Sequence, residues 1–418
     1  MILKREKADV ALRKFLSRIT HRTEEEVVRV SDSANRVLRE DVVSKRTLPP
    51  FDRAAMDGYA VRAEDTFGAS FSSPVVLRIA GEVEIGKKAE VEVGSGEAVR
   101  ISTGAMMPPG TNAVVMVEYT EESDGFVEIY RAVAVGENVS RRGEDVREGE
   151  VIMKKGEVIQ SFDTGLLLSA GINKVRVGCR VKVAVAATGD ELKDVLHESS
   201  SDGDDVRIPD ANRPAVISML KDLGAEVVDL GIVGDSREEM RDVLEESLKY
   251  DAAIFTGATS AGKKDVMPEV VEEAGEIVVH GVAIKPGMPT ALGIVEGKPV
   301  FLLPGFPVAC IVAFRLFVPP ALMKVQGSNV LAFPGETVRA RLTRRIPSGS
   351  GTRTFTRVRL SMKGVEKGEI LAEPVRTSGS GILSSIVRAH GIVEVEEELE
   401  GLEAGEIVDV RLIRHLVV

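Results

Sequence analysis

The stretch 178–326 constrains the fold more than any other part of the chain, because apolar β-type runs alternate there with helical patterns. Val181–Ala187 is a β-branched run that ends in Thr188-Gly189-Asp190. A helix follows over Arg213–Leu223 with Pro214 in its first turn, then a strand over Ala225–Leu230. Ser236 with Glu239 three residues on forms a capping box that opens the next helix. A buried-type strand at Asp251–Phe255, a Gly-containing loop, a helix around Asp265–Ala274 and a strand at Val300–Leu303 complete the series. Such alternation predicts βαβ units, hence a parallel sheet covered on both faces, with ligands beyond the carboxyl ends of the strands. The loops after Ala187, Phe255 and Leu303 are therefore the places to look.

The flanking segments read differently. The first 45 residues read as helical: Val10, Leu12, Phe15, Leu16 and Ile19 fall at near-helical spacing, and Ser31 is placed to cap a second helix through Leu38. From Pro49 to Val139, short β runs (Val75–Ile79, Ala98–Ile101, Ala113–Val117, Phe126–Ile129) punctuated by Gly and Pro predict an inserted β-rich domain. After Phe333 the pattern is all-β, with strands over Glu336–Ile346, Thr354–Met362, Ile392–Glu397 and Ile407–Ile413. The polar segment His197–Asp205 reads as a loop. The expected fold class is thus a multidomain α/β plus β chain.

Charge and cysteine count narrow the partners. Against 65 acidic residues the chain carries 54 Lys and Arg, a net charge of −11 over 418 residues. That balance argues against nucleic acid, whose binding needs a basic face. No uninterrupted apolar run approaches the ~20 residues of a membrane span, and Met1–Lys7 leads into no apolar signal core, so no membrane partner and a cytoplasmic location are expected. Cys179 and Cys310 alone exclude a disulfide framework or a Cys-rich zinc site, and the five histidines show no metal-ligand spacing.

Several loops carry candidate chemistry. Thr256–Asp265 (TGATSAGKKD) has most of a phosphate-cradling P-loop, but Lys264 replaces the hydroxyl that holds Mg2+. Three readings stay open for it: an oxyanion-binding strand–helix turn, a plain turn, or an ATPase loop. Asp190 and Glu191 in TGDEL suit Mg2+ beside a phosphate, or serve only as acids at a helix start. Lys285-Pro286-Gly287-Met288-Pro289 and Leu303-Pro304-Gly305-Phe306-Pro307 are rigid turns; Arg141-Arg142-Gly143-Glu144-Asp145 reads locally as an exposed ion-pair cluster.

Taken in order, the strings PFDRAAMDGYAV (50–61), RISTGAMMPPGTNAVVMVE (100–118), RRGEDV (141–146), ATGDEL (187–192), DANR (210–213), TGATSAGKKD (256–265), IKPGMP (284–289), LPGFPVA (303–309) and GSGILSSIVRAHG (379–391) resemble the molybdopterin molybdenumtransferase family, the MoeA proteins and gephyrin E domains. The resemblance spans nearly the whole chain. It implies four domains: an N-terminal domain from 1–45 and 146–177, a β-rich domain over 46–145, an α/β domain over 178–326 related to molybdopterin adenylyltransferases, and a C-terminal β-barrel-like domain over 327–418. It implies a homodimer that takes adenylated molybdopterin and molybdate or tungstate, uses Mg2+ and releases AMP, with a molybdopterin adenylyltransferase as a partner.

Residue by residue, the resemblance assigns Asp57 and Thr103 to second-domain site positions and Arg141, Arg142 and Asp145 to the pterin side. Asp190, Glu191 and Asp265 match acids placed for Mg2+ and phosphate cleavage. Ser260 and Gly262 match the phosphate-side loop, Lys285 matches a cation of the molybdate pocket, and Asn212, Lys263, Pro289 and Pro304 match further substrate-binding positions; Arg353 and Ser380 match two further oxyanion contacts. Besides the loop GATSAG, which stands for the commoner GGVSxG, three positions depart from the family pattern: Met288 stands for a lysine, Phe306 for an asparagine and Ala309 for a serine. These changes remove polar groups from the oxyanion pocket, and a hydrogen bond to a charged group is typically worth ~1.5–3 kcal/mol. A non-inserting paralogue that binds the pterin nucleotide or a partner as carrier or scaffold is the alternative reading.

Overall fold

The computed structural model describes residues 5–195, 206–259, 266–328, 335–362, 369–376 and 379–414. Ser260, Gly262, Lys263 and Asp265, and the acidic loop 197–205, lie outside them. The chain divides into two compact units. One holds residues 1–26, 35–39 and 177–418, and the other 27–34 and 40–176.

The N-terminus is less helical than its sequence predicts. Helix α1 (Ala8–Arg18) forms, burying Phe15 and Leu16 as spaced. The second helix does not. Glu25–Arg29 is instead a strand with alternating exposure, followed by one short 3-10 turn at Val30–Asp32. Ser31, expected to cap that helix, lies inside this turn; the Ser33 hydroxyl donates back to the Val30 carbonyl at 2.7 Å, and Asn35 takes φ 63°.

The second unit is built on a six-stranded sheet of β1 (Gly58–Val61), β2 (Val75–Val83), β3 (Glu97–Ile101), β4 (Ala113–Met116), β5 (Thr120–Ser123) and β6 (Phe126–Ile129), in the order β4-β1-β3-β2-β6-β5. Strand β1 is buried along its length. At Gly58 a Cβ would lie 1.9 Å from the Val115 carbonyl oxygen, so only glycine admits this close pairing.

In the first unit the α/β region runs β7 (Lys182–Thr188), α2 (Asn212–Asp222), β8 (Glu226–Val233), α3 (Arg237–Ser247), β9 (Ala252–Thr256), α4 (Met267–Ala274), β10 (Glu276–His280), β11 (Ile284–Lys285), β12 (Ala291–Val295), β13 (Lys298–Leu303) and α5 (Pro307–Gln326). The central sheet has the order β8-β7-β9-β13-β12-β10. Neighbours β8, β7, β9 and β13 are parallel, and β12 runs antiparallel to both its neighbours. Val183, Val185 and Ile254 face a core shared with α1, α2 and α5, whereas Ala186, Ala253 and Phe255 face α3 and α4. Phe15 of α1 meets Phe301 edge-on, ring centroids 5.4 Å apart. Ser236 caps α3 as expected, its hydroxyl accepting the Glu239 N–H at 3.2 Å.

Helix α5 is long and apolar enough to cross a membrane, contrary to the apolar-run count, yet 78% of its apolar window is buried inside the protein. It is the core helix of this unit.

The C-terminal strands β14 (Thr337–Leu342), β15 (Arg353–Ser361), β16 (Leu371–Arg376), β17 (Gly391–Val395) and β18 (Ile407–Leu412) pair in the order β15-β16-β14-β18-β17, and β17 pairs back onto β15. The sheet thereby closes into a five-stranded barrel without a free edge. Strand β11 adds to it in parallel, pairing Ile284 with Arg353 and Lys285 with Thr354.

Candidate active site

From β7 the chain crosses α2 to β8 on one side, then returns through α3 to β9 on the other side of β7. The strand order therefore reverses between β7 and β9, and a crevice opens at their carboxyl ends. Three turns meet there. Gly257, at φ +88°, donates its N–H to the Leu303 carbonyl at 3.0 Å, and the Thr188 hydroxyl donates to the Thr256 carbonyl at 3.3 Å. A Cβ on Gly257 would lie 2.6 Å from the Thr188 carbonyl oxygen, and one on Gly305 would lie 3.6 Å from the Gly257 Cα. Glycine at 257 is thus what lets the turns close together.

Asp190 and Glu191 emerge at this end, both exposed. Asp190 Oδ1 accepts the Asp235 N–H at 3.1 Å. A Cβ on Gly189 would lie 2.6 Å from Glu191 Oε1, so that carboxylate folds over its own turn. Asn212, at the start of α2, donates its side-chain amide to the Gly305 carbonyl at 2.7 Å and pins the Pro304-Gly305 turn.

The two proline turns are braced differently. In the first, the Val282 N–H donates to the Met288 carbonyl at 2.9 Å, and the buried Thr290 hydroxyl donates to the Gly287 carbonyl at 2.6 Å, fixing Met288-Pro289. Lys285 is exposed and makes no ion pair among the described residues. In the second, the Val308 N–H donates to the Ser380 carbonyl at 3.0 Å, which ties the start of α5 to the 379–381 segment. Met288 is half-buried and Ala309 buried, so these two departures pack; Phe306 does not.

Arg353, expected as an oxyanion contact, lies in a cluster of carboxylates. Its guanidinium makes a bidentate pair with Asp9 at 3.0 Å and reaches Glu397 at 3.0 Å, Glu394 at 3.1 Å and Glu396 at 3.3 Å. Burial alone would lower its pKa, but the bonds to Asp9 and Glu397 hold it above the ordinary value. This cation is committed to carboxylates from α1 and the barrel.

Sequence reasoning missed Arg213 as more than a helix start. It is 1% exposed and ion-paired with Asp210 and Asp194, both at 2.9 Å, and with Asp229. Burial opposes its charge, and the bonds to Asp210 and Asp229 outweigh it, raising its pKa. Asp210 also accepts the Arg213 N–H at 3.1 Å, so this hub sets the first turn of α2 and with it Asn212. The DANR string carried the signal: an acid three residues before an arginine at a helix start.

In the second unit the predicted residues lie on neighbouring loops. Asp57 Oδ1 accepts the Thr103 N–H at 2.7 Å. The Arg142 N–H donates to Asp52 at 2.7 Å, the Arg141 N–H to Glu144 at 2.8 Å, and the Asp145 N–H to the Leu48 carbonyl at 3.1 Å. The Gly104 N–H donates to the Ala54 carbonyl at 2.8 Å and the Ala55 N–H to the Asn138 carbonyl at 2.9 Å. Backbone bonds thus lace the 52–57, 103–105 and 138–145 segments into one patch, with the Arg141 and Arg142 side chains exposed.

Family models match along the chain: "MoeA N-terminal region (domain I and II)" over 6–171, "Probable molybdopterin binding domain" over 184–324 and "MoeA C-terminal region (domain IV)" over 339–413. A molybdopterin molybdenumtransferase of Haemophilus influenzae is 34% identical over 411 residues, 98% of this chain and 99% of its own. The chain belongs to the MoeA family. Its process is molybdenum cofactor biosynthesis, as a MoeA-type molybdopterin molybdenumtransferase. A putative molybdopterin biosynthesis protein of Methanocaldococcus jannaschii is 37% identical over 93% of this chain and 92% of its own. A solved MoeA structure from Pyrococcus horikoshii superimposes with a TM-score of 0.80 at 33% identity, covering 98% of this chain and all of that one. Against the MoeA pattern, the carboxyl-end crevice of the α/β sheet is where Asp190, Asn212, Gly257 and Pro304 converge.

Proposed function

We propose that this MoeA-family chain inserts molybdate, or tungstate, into adenylated molybdopterin, with Mg2+-dependent cleavage of the phosphoanhydride bond and release of AMP. The observation that carries the reading is the strand-order reversal between β7 and β9, where Thr188-Gly189-Asp190, Gly257 and the Asn212-pinned Gly305 turn line one crevice. A Gly-rich turn beyond a parallel strand suits a pyrophosphate, which accepts N–H donors. Two dithiolene thiols bond the metal while one oxygen of the oxyanion leaves as water with their protons; a second water adds across the P–O–P bond, AMP leaves with one phosphate, and the other phosphate stays on the pterin.

The donor set fits Mg2+. Asp190 and Glu191 are exposed oxygen donors, the hard ligands this ion prefers, and substrate phosphate oxygens and water complete such sites. When bound, Mg2+ neutralises charge developing on the leaving phosphate. Asp190 is oriented by the Asp235 N–H, and Lys285 supplies a cation for the tetrahedral oxyanion. Asp57, Thr103, Arg141, Arg142 and Asp145 hold the pterin side. The protein acts as a cytoplasmic homodimer and receives its substrate from a molybdopterin adenylyltransferase.

The test is incubation with adenylated molybdopterin, Mg2+ and either molybdate or tungstate. AMP release with metal on the pterin is the expected result. Tight nucleotide binding without turnover, whatever the oxyanion, overturns it in favour of a carrier, the reading that Met288, Phe306 and Ala309 would favour.

A further inference from the structure

Phe306 is the feature of the crevice that folding does not explain. Phe306 is 64% exposed, while Phe15, Phe255, Phe301, Phe314, Phe317 and Phe355, the other described phenylalanines of this unit, are all buried. An exposed ring adds nothing to the core. The backbone beneath it is nonetheless held at several points. Pro304 and Pro307 flank it, the Asn212 amide fixes Gly305, and the Cys310 N–H donates to the Phe306 carbonyl at 2.9 Å. The ring has a seat: a Cβ on Gly381 would lie 3.2 Å from Phe306 Cδ1 and 3.5 Å from Cε1, so glycine at 381 leaves that edge the room it occupies. The rest of the ring is open, on the turn whose Gly305 adjoins Gly257.

We propose that Phe306 is a specificity-determining residue, a pre-ordered aromatic platform on which the planar heterocycle of the substrate stacks. An asparagine at this position would offer a hydrogen bond; a phenylalanine offers a π-face, which a fused heteroaromatic ring fills at little ordering cost because the loop is already fixed. Both ends of an adenylated pterin carry such a ring, so the shared chemistry is a planar nitrogen heterocycle. The inference rests on the proposed function for the identity of that substrate, but the stacking itself is measurable without turnover.

The experiment uses the full chain and three probes: AMP, 6-hydroxymethylpterin, and ribose 5-phosphate, which lacks a heterocycle. By calorimetry, Phe306→Ala is expected to weaken at least one planar probe about tenfold or more, the range for loss of base–aromatic stacking, and to leave ribose 5-phosphate unchanged. The chain has no tryptophan, so Phe306→Trp introduces the sole indole, whose fluorescence the stacked probe should quench while affinity is retained. Whichever planar probe responds identifies the ring. The inference is overturned if Phe306→Ala leaves both planar probes within twofold of wild type. It is equally overturned if ribose 5-phosphate weakens in parallel, or if the wild type binds neither planar probe. Failure of AMP release from adenylated molybdopterin, with Phe306-dependent AMP binding intact, would sink the transfer reading and leave the platform standing.

Discussion

Asp57 Oδ1 accepts the Thr103 N–H at 2.7 Å, which joins the loop entering β1 to the loop leaving β3. Both residues are exposed, so this charge-assisted bond shapes a surface rather than a core. Asp57→Asn keeps an acceptor of the same size and removes the charge. It is expected to shift the melting temperature by no more than a few degrees while AMP release falls at least tenfold. Parallel thermal and turnover measurements separate the two. An unchanged turnover would place Asp57 outside the site.

The Asn212 amide anchors the Gly305 carbonyl across the crevice, and Asn212→Ala removes it. A neutral hydrogen bond is worth about 1 kcal/mol, or roughly fivefold in an equilibrium. The Pro304–Pro307 turn should then loosen, and kcat/KM should fall about fivefold or more, with most of the change in KM. Crystals or hydrogen exchange of the variant would show the turn at 304–307 exchanging faster than the β13 strand beneath it.

Four of the six α/β strands, β7, β8, β9 and β13, were legible because each is an apolar run between turn signals, and Thr188-Gly189 and Leu303-Pro304 fall where two of those runs end; β10 and the antiparallel β12, which breaks the expected all-parallel sheet, were not. Helix α5 was not. It is apolar nearly all round, so it has no amphipathic period, and Pro319 and Pro320 inside it argue locally for a break. The packing of both helix faces overrides that local preference. At 31–38 the error ran the other way: serine caps and turns share one chemistry, and Ser31, expected as a cap, lies within a 3-10 turn whose end Ser33 closes. The loop strings single out Asp57, Thr103, Asn212 and Lys285, but not what they touch. Arg353 shows why, since its bidentate partner Asp9 lies 344 residues away in sequence.

Arg213 is a buried cation shared by Asp194, Asp210 and Asp229. Removing one partner from such a buried set leaves uncompensated charge, a loss of ~3–5 kcal/mol in measured cases. Arg213→Ala is expected to destabilise the α/β unit by that order, seen as an earlier chemical-denaturation midpoint. Arg213→Lys should recover only part of it, because one ammonium cannot fork to three carboxylates. A wild-type midpoint in Arg213→Ala would show that the hub carries no stability.

Glu394 sits in the Arg353 cluster with its carboxyl pKa raised, burial being the main cause and Arg353 opposing it. The folded protein therefore binds this proton more tightly than the unfolded chain, whose carboxyl titrates near the ordinary 4.5. As pH rises through 4.5 the unfolded chain ionises first, and stability falls until the folded-state pKa is passed. Above that window the charged Glu394 is a standing cost, while Arg353 keeps Asp9, Glu396 and Glu397 as partners. Glu394→Gln should thus melt at or above the wild-type temperature at pH 7. The difference should shrink as the pH is lowered below the window, where both proteins carry a neutral group at 394. A Glu394→Gln variant less stable than wild type at pH 7, with the gap closing at low pH, would show that its pairing with Arg353 outweighs its burial.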